Sequence, residues 1–208
     1  MINTTWGYTI DAESLPSLMT VAEFDAITAD KYKNDPRVSS ELAAAGMAIR
    51  NYCGWHIAPT LTCTIDRGLL YGDGIVKRIG HDLMVQLPTR FLTGLTTVKV
   101  NDNDYSDLRM NVNGTLVIFD VSEGDLSRKS QIVVTYSAGL TDALMADVKE
   151  LMASRVVHSL SSSYGVTSES AGGMSVTYNA SWANNTLAAG LNDEAKAVLS
   201  LYRVGSVL

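Results

Sequence analysis

The places where this chain could do chemistry are its three histidines, its two cysteines and a few short acidic or glycine-rich runs. His56, His81 and His158 each stand alone. None has a second His, Cys or carboxylate at metal-ligand spacing on the same element. His158 borders the apolar side of a long helix and reads as a satisfied structural histidine. There is no Gly-x-Ser-x-Gly nucleophile elbow, and a Ser–His–Asp set could only be gathered from distant residues. Gly72-Asp73-Gly74 has the look of a phosphate loop, but it lacks the third glycine and the helix that would follow. Ile75-Val76-Lys77 reads as strand, so a hairpin turn is expected there. Asp102-Asn103-Asp104 begins like a calcium loop. Asp107 stands where glycine belongs and Asn113 where the acidic twelfth ligand belongs, so a simple turn is expected, with weak cation binding by Asp102, Asp104 and Asp107 as the alternative. Asp120, Glu123 and Asp125 read as a solvated turn. Cys53 and Cys63 form neither a CxxC pair nor a metal motif and are expected to be buried as small apolar residues. No catalytic group, cofactor or resident metal is therefore expected.

The whole-chain properties narrow the classes further. The chain has 208 residues, is 46% hydrophobic, and carries a net charge of −6 with a pI near 5.0. An acidic chain without a Lys/Arg cluster argues against a nucleic-acid reader that works by neutralising phosphates. It is compatible with a surface past which DNA slides. The N-terminal stretch has neither the basic nor the apolar region of a signal peptide. No run of about 18 apolar residues offers a membrane span.

The elements that must position these residues fall into a helical part and a β part. Residues 1–19 read as an extended N-terminal arm anchored by Trp6 and Tyr8. Thr20-Val-Ala-Glu23 has the form of a capping box and opens a short helix to about Ala29. Asp35-Pro36 opens a second helix. Its stripe is Val38, Leu42, Ala45, Ile49 and Tyr52; Ser40, Glu41, Ala44 and Arg50 are placed on the other face. Gly54 is its expected C-cap. From Leu61 to Tyr136 the period changes to two: Leu61/Cys63/Ile65, Leu83/Val85/Leu87, Val98/Val100 and Ile132/Val134/Tyr136. Asn113-Gly114 is the strongest hairpin signal. The expected class is α+β: a small helical bundle (20–60 and 137–208) with an inserted antiparallel β-sheet or sandwich (61–136) and extended terminal arms.

A long helix is expected from Asp142 to about Tyr164, with Leu144, Val148, Leu151, Met152 and Val156 on one face. Arg155 falls in the middle of that apolar face. Either it snorkels to the helix edge or it makes an ion pair across an interface. Val157 lies on the opposite side. Beyond Tyr164 a polar segment holds a short alternating strand, Met174–Tyr178, and leads past Trp182 to Asn192, which caps a last helix. Strand-forming and aromatic residues in stretches too polar to bury themselves suggest arms that order against another subunit.

The order of these pieces resembles the head–tail connector (adaptor, or head-completion) proteins of long-tailed bacteriophages. The resemblance is carried by Val21-Ala-Glu-Phe-Asp and Asp35-Pro-Arg-Val-Ser-Ser-Glu-Leu through Ile49-Arg-Asn-Tyr-Cys-Gly-Trp55. Further along it is carried by Val85-Gln-Leu-Pro-Thr-Arg with Leu95-Thr-Thr-Val-Lys-Val, by Val133-Val-Thr-Tyr-Ser-Ala-Gly-Leu140, and by Met174-Ser-Val-Thr-Tyr before a closing helix ending Leu201-Tyr202-Arg203. The β insertion is larger than in compact all-helical members. The resemblance implies a non-enzymatic virion protein of the head–tail interface, made in the host bacterial cytoplasm. It implies a ring, typically of twelve subunits, docked on the portal protein. Such a ring extends the DNA channel and offers a platform to a stopper or tail-terminator protein, with DNA passing unread. In that setting the candidate subunit contacts are Arg155, Val157, Met174, Val176, Tyr178 and Trp182. The candidate portal or neighbour contacts are Leu201, Tyr202, Arg203, Val207 and Leu208. The competing reading is a ligand- or carbohydrate-binding β module supported by helices, with Phe91, Tyr105 and Phe119 as its aromatic platform.

Overall fold

The computed structural model describes residues 1–68, 75–79, 81–110, 116–121, 130–161, 168–171, 174–177 and 191–204. The chain divides into two compact units. One comprises Met1–Pro16, Gly54–Asp142 and Arg203–Leu208; the other comprises Ser17–Cys53 and Ala143–Tyr202. The class is α+β, with helices in one unit and two antiparallel sheets in the other.

The β-unit is built on alternation. Strands β1 (Ile2–Asn3), β2 (Thr9–Ile10), β3 (Leu61–Gly68), β6 (Leu92–Val100), β7 (Asn103–Asp104) and β10 (Gln131–Ala138) form a six-stranded sheet in the order β1-β2-β3-β10-β6-β7. Strand β10 pairs with β3 along its whole length, from Gln131↔Gly68 to Ala138↔Leu61. On its other side it pairs with β6, with register shifts after Thr135 and Ser137. Because side chains alternate across the pleat, Ile132, Val134, Tyr136 and Ala138 fall on one face with Cys63, Ile65, Val98 and Val100, and all are buried. Asn101 and Asp102, at φ of 49° and 66°, make the tight turn between β6 and β7. The second sheet has the order β4-β5-β9-β8, from β4 (Val76–Ile79), β5 (Asp82–Gln86), β8 (Leu108–Met110) and β9 (Leu116–Asp120). Its buried residues include Val76, Leu83, Val85, Val117 and Phe119. Strands β8 and β9 pair as the Asn113-Gly114 signal requires; the turn itself lies outside the described residues.

Gly72–Gly74 lies outside the described residues. The strand after it, β4, pairs with β5, Val76↔Val85 to Ile79↔Asp82. One sequence expectation is corrected here. The N-terminal stretch is extended, but as a β1–β2 hairpin that pairs with β3 of its own chain at Thr9↔Thr64 and Ile10↔Cys63. Tyr8 and Ile10 are buried and Trp6 stacks on Tyr8, so these apolar residues find cover within the chain.

Gly139 closes the β-unit. Its φ is +142°, and a Cβ there would lie 2.3 Å from the Pro59 carbonyl oxygen. Its N–H donates to Phe91 O at 3.0 Å and its carbonyl accepts from Thr60 Oγ1 at 3.2 Å. Only glycine reconciles that backbone with that approach.

The helical unit contains α1 (Val21–Ile27), α2 (Val38–Cys53), α3 (Ala146–Ser161) and α4 (Asp193–Leu199), together with a hairpin of β11 (Ser168–Ala171) and β12 (Met174–Thr177). The capping box forms as read: Thr20 accepts from the Glu23 N–H while the Glu23 carboxylate accepts from the Thr20 N–H. Asp35 does not cap directly. Its carboxylate takes the Arg37 N–H at 2.9 Å, and α2 begins at Val38. Helix α2 runs antiparallel to α3, since Glu41 accepts from Ser159 Oγ at 2.8 Å while Gly46 faces Met152 further along. Tyr52 donates to Lys196 O at 3.1 Å and ties α2 to α4.

Because α2 packs against α1, α3 and α4, it is buried over more than one stripe. Arg50, expected on the outer face, is only 3% exposed. Helix α3 is shorter than its sequence pattern. Asp142–Leu144 is a single 3-10 turn, and Leu144, expected on the apolar face, is exposed; the buried residues are Val148, Met152, Ala153, Val156 and Leu160. Met145, one residue later, is buried in its place.

Candidate functional site

The densest set of chemistry-bearing side chains is in the β-unit, around His56. The ring Nε2 lies 2.9 Å from Ala138 O on β10, and Nδ1 lies 3.0 Å from the Tyr8 hydroxyl. The His56 backbone N–H also donates to that hydroxyl, at 2.9 Å. Cys63 Sγ sits 3.9 Å from Nδ1. Trp55 meets the ring edge-on at 5.4 Å between centroids, and Tyr136 lies 6.4 Å from the Tyr8 ring.

Histidine beside cysteine is a nucleophile's pairing, but the electrostatics here oppose it. Burial pushes the Cys63 thiol up to about 12, with the Tyr136 hydroxyl acting weakly in the other direction. Burial, then the neighbouring Cys63 and Tyr8, hold Tyr136 well above the ordinary phenol range. A thiol kept protonated is a poor nucleophile. His56 is 1% exposed, so no substrate reaches the ring without the sheet opening. The cluster is a hydrogen-bonded core. Sequence reasoning found no local partner for His56 and missed Tyr8, which lies 48 residues away on another element.

The other chemical candidates disperse. Asp104 pairs with Lys99 at 3.5 Å, and among the described residues no three His, Cys, Asp or Glu side chains gather as a metal site, so Asp102, Asp104 and Asp107 form no ligand set. Both cysteines are free thiols and buried. The aromatic platform of the carbohydrate reading is not assembled. Phe119 is buried with Tyr105 against it at 5.4 Å, while Phe91 stacks on Trp55 at 6.1 Å.

The candidate assembly residues are spread over the helical unit and the chain that leaves it. Arg155 and Val157 are half-buried on α3, Arg155 at the margin of the buried arc. Met174 and Val176 lie on β12, which pairs with β11. Tyr178, Trp182, Val207 and Leu208 lie outside the described residues. Leu201 is 65% exposed, the largest exposure of an apolar side chain after Met1 among the described residues. Tyr202 is half-buried, with its hydroxyl pushed up first by burial, then by Asp147 and Cys53. Arg203 is exposed. The electrostatic fastening of the helical unit is Glu23. Its hydrogen bond with Lys149 at 2.5 Å, then those from the Thr20 backbone and hydroxyl, lower it to about 2.

The sequence profile described as head completion protein matches residues 17–204. That is most of the chain, so the chain belongs to the phage head completion protein family and is a structural component of the virion. No curated protein sequence matches it closely enough to count as a relative.

Proposed function

We propose that this protein completes the phage head as a ring-forming adaptor. It docks on the portal protein, extends the DNA channel and gives a stopper or tail-terminator protein its platform, with twelve copies as the expected ring. The observation that carries this reading is the family match over residues 17–204. The net charge of −6 supports it physically, since an acidic wall repels phosphates and lets DNA pass without adhering. In this reading Arg155 and Val157 on α3, with the β12 strand and the neighbouring Tyr178 and Trp182, meet the adjacent subunit. Leu201, Tyr202, Arg203, Val207 and Leu208 reach the portal or a neighbour.

Native mass spectrometry of the protein with its portal tests the reading. Discrete ring stoichiometries are expected with the unaltered chain. Arg155→Ala is expected to reduce ring formation at least several-fold and to impair it more than monomer folding, which a denaturation curve of the monomer checks. A variant monomer that unfolds outright would place Arg155 in the fold instead of the interface. No association with the portal under any condition would overturn the adaptor reading itself.

A further inference from the structure

The proton positions in the His56 cluster follow from which groups can only donate and which can only accept. Ala138 O accepts, so Nε2, 2.9 Å away, carries a hydrogen. The His56 backbone N–H donates to the Tyr8 oxygen, and Nδ1 lies 3.0 Å from the same hydroxyl. With Nε2 carrying its hydrogen, the neutral ring offers Nδ1 as an acceptor to that hydroxyl. A second proton goes on Nδ1, where it removes that acceptor and places a charge in a site that is 1% exposed.

We propose that His56 is a proton-operated latch on the N-terminal hairpin: neutral, it pins residues 2–10 to the β-unit through Tyr8; protonated, it lets the hairpin go. The hairpin is also held by the two-residue ladder to β3, the Asp11 N–H on Thr62 O at 2.9 Å, Thr9 Oγ1 on Thr64 O at 3.2 Å, the Arg67 guanidinium on Gly7 O at 3.5 Å, and burial of Tyr8 and Ile10. Among these, the Tyr8–His56 pair is the one that contains an imidazole. Titratable groups around the ring include Tyr8 just before β2, Cys63 on β3 and Tyr136 on β10. With Cys63 up to about 12 and Tyr136 raised by burial, both stay neutral throughout the range in which an imidazole titrates. The sign follows. The closed state binds one proton fewer than the open state, whose imidazole titrates near its ordinary value of about 6.5. The latch is fully held above that value and weakens as the pH falls below it.

Amide hydrogen exchange on the full-length protein, corrected for intrinsic rates, tests this at about pH 7.5 and about pH 5. The hairpin amides, including those of Thr4 and Ile10, are expected to open about tenfold more often at the lower pH, while β6 and β10 hold their protection. In Tyr8→Phe the hairpin is expected to be open at both values, with less than a twofold difference between them. Equal hairpin protection at the two pH values in the parent protein would overturn the proposal, and so would a pH dependence that persists in Tyr8→Phe. An NMR titration of the His56 ring in the parent protein gives an answer even if the variant fails to fold. Protonation in step with hairpin opening supports the latch, and protonation with the hairpin still protected overturns it.

Discussion

The two units use glycine in opposite ways. In the β-unit, Gly139 lies at a positive φ with the Pro59 carbonyl against the place where its Cβ would be. In the helical unit, Gly46 sits inside α2, where a Cβ would meet Met152 Cε at 3.7 Å and Leu18 Cδ1 at 3.9 Å, ordinary van der Waals distances. The first glycine is demanded by backbone geometry and the second leaves room. The contrast extends to the way each unit is held. Strands are fixed by backbone ladders and by a core that alternation assigns residue by residue. The helices are fixed by side-chain ties between elements, Glu23 to Lys149, Ser159 to Glu41 and Tyr52 to Lys196. Single side-chain changes should therefore trim the helical unit in small steps, whereas backbone-incompatible changes should strike the β-unit in large ones.

The largest test of that difference is Gly139→Ala. It is expected to cost about 3 kcal/mol or more, from strained φ and the overlap with Pro59 together. Urea denaturation followed by β-sheet circular dichroism would measure it. A cost under about 1 kcal/mol would mean that the Pro59 segment yields easily and that the contrast is weaker than drawn.

Glu23→Gln should cost about 1 kcal/mol near neutral pH, since its side chain is 39% exposed and solvent screens the Lys149 pair. The pH dependence has a definite sign. The folded-state value near 2 lies below the ordinary 4.5, so this contribution is fully present above about 4.5 and is lost as the pH falls towards about 2. Denaturation midpoints of parent and variant should converge across that window. Midpoints that stay parallel would show that the ion pair adds nothing.

The smallest expected effect has the opposite sign. Gly46→Ala should stabilise by about 0.5–1 kcal/mol, because alanine is the better helix former and its methyl meets no close atom. Destabilisation would show α2 and α3 packed too tightly to admit even that group.

Much of the β-unit was legible because a half-buried strand writes its environment into a period of two. Cys63/Ile65, Leu83/Val85, Val98/Val100 and Ile132/Val134/Tyr136 are all on buried faces. Short-range polar signals were equally readable: the Thr20–Glu23 box and the Asn192 cap depend on neighbours within three residues. Long-range pairings left no such trace. Nothing local links Tyr8 to His56, or marks Arg50 as buried on a helix that touches three others. The start of α3 was misplaced for a related reason. The sequence offers Asp142 as a cap, but the tertiary surroundings bury Met145 and leave Leu144 outside, which a continuous helical stripe from Leu144 does not allow. Of the candidate assembly residues, the polarity of residues 165–190 was readable, but polarity alone names no partner.

The order in which the strands of the six-stranded sheet appear along the chain bears on how the protein is made. β10 lies between β3 and β6, yet it follows both in sequence, so Tyr136 must find Cys63 on one side and Leu95 on the other. During synthesis the facing edges of β3 and β6 leave the ribosome well before the strand that joins them. Pairing across such separations is slow, and unpaired edges are where chains stick to one another. The helical unit waits longer still, because α2 is made early while α3 and α4 come after the last strand of the sheet. A nascent chain therefore carries two unfinished halves until translation has passed Leu199, and the yield of soluble subunits should be sensitive to temperature and expression rate.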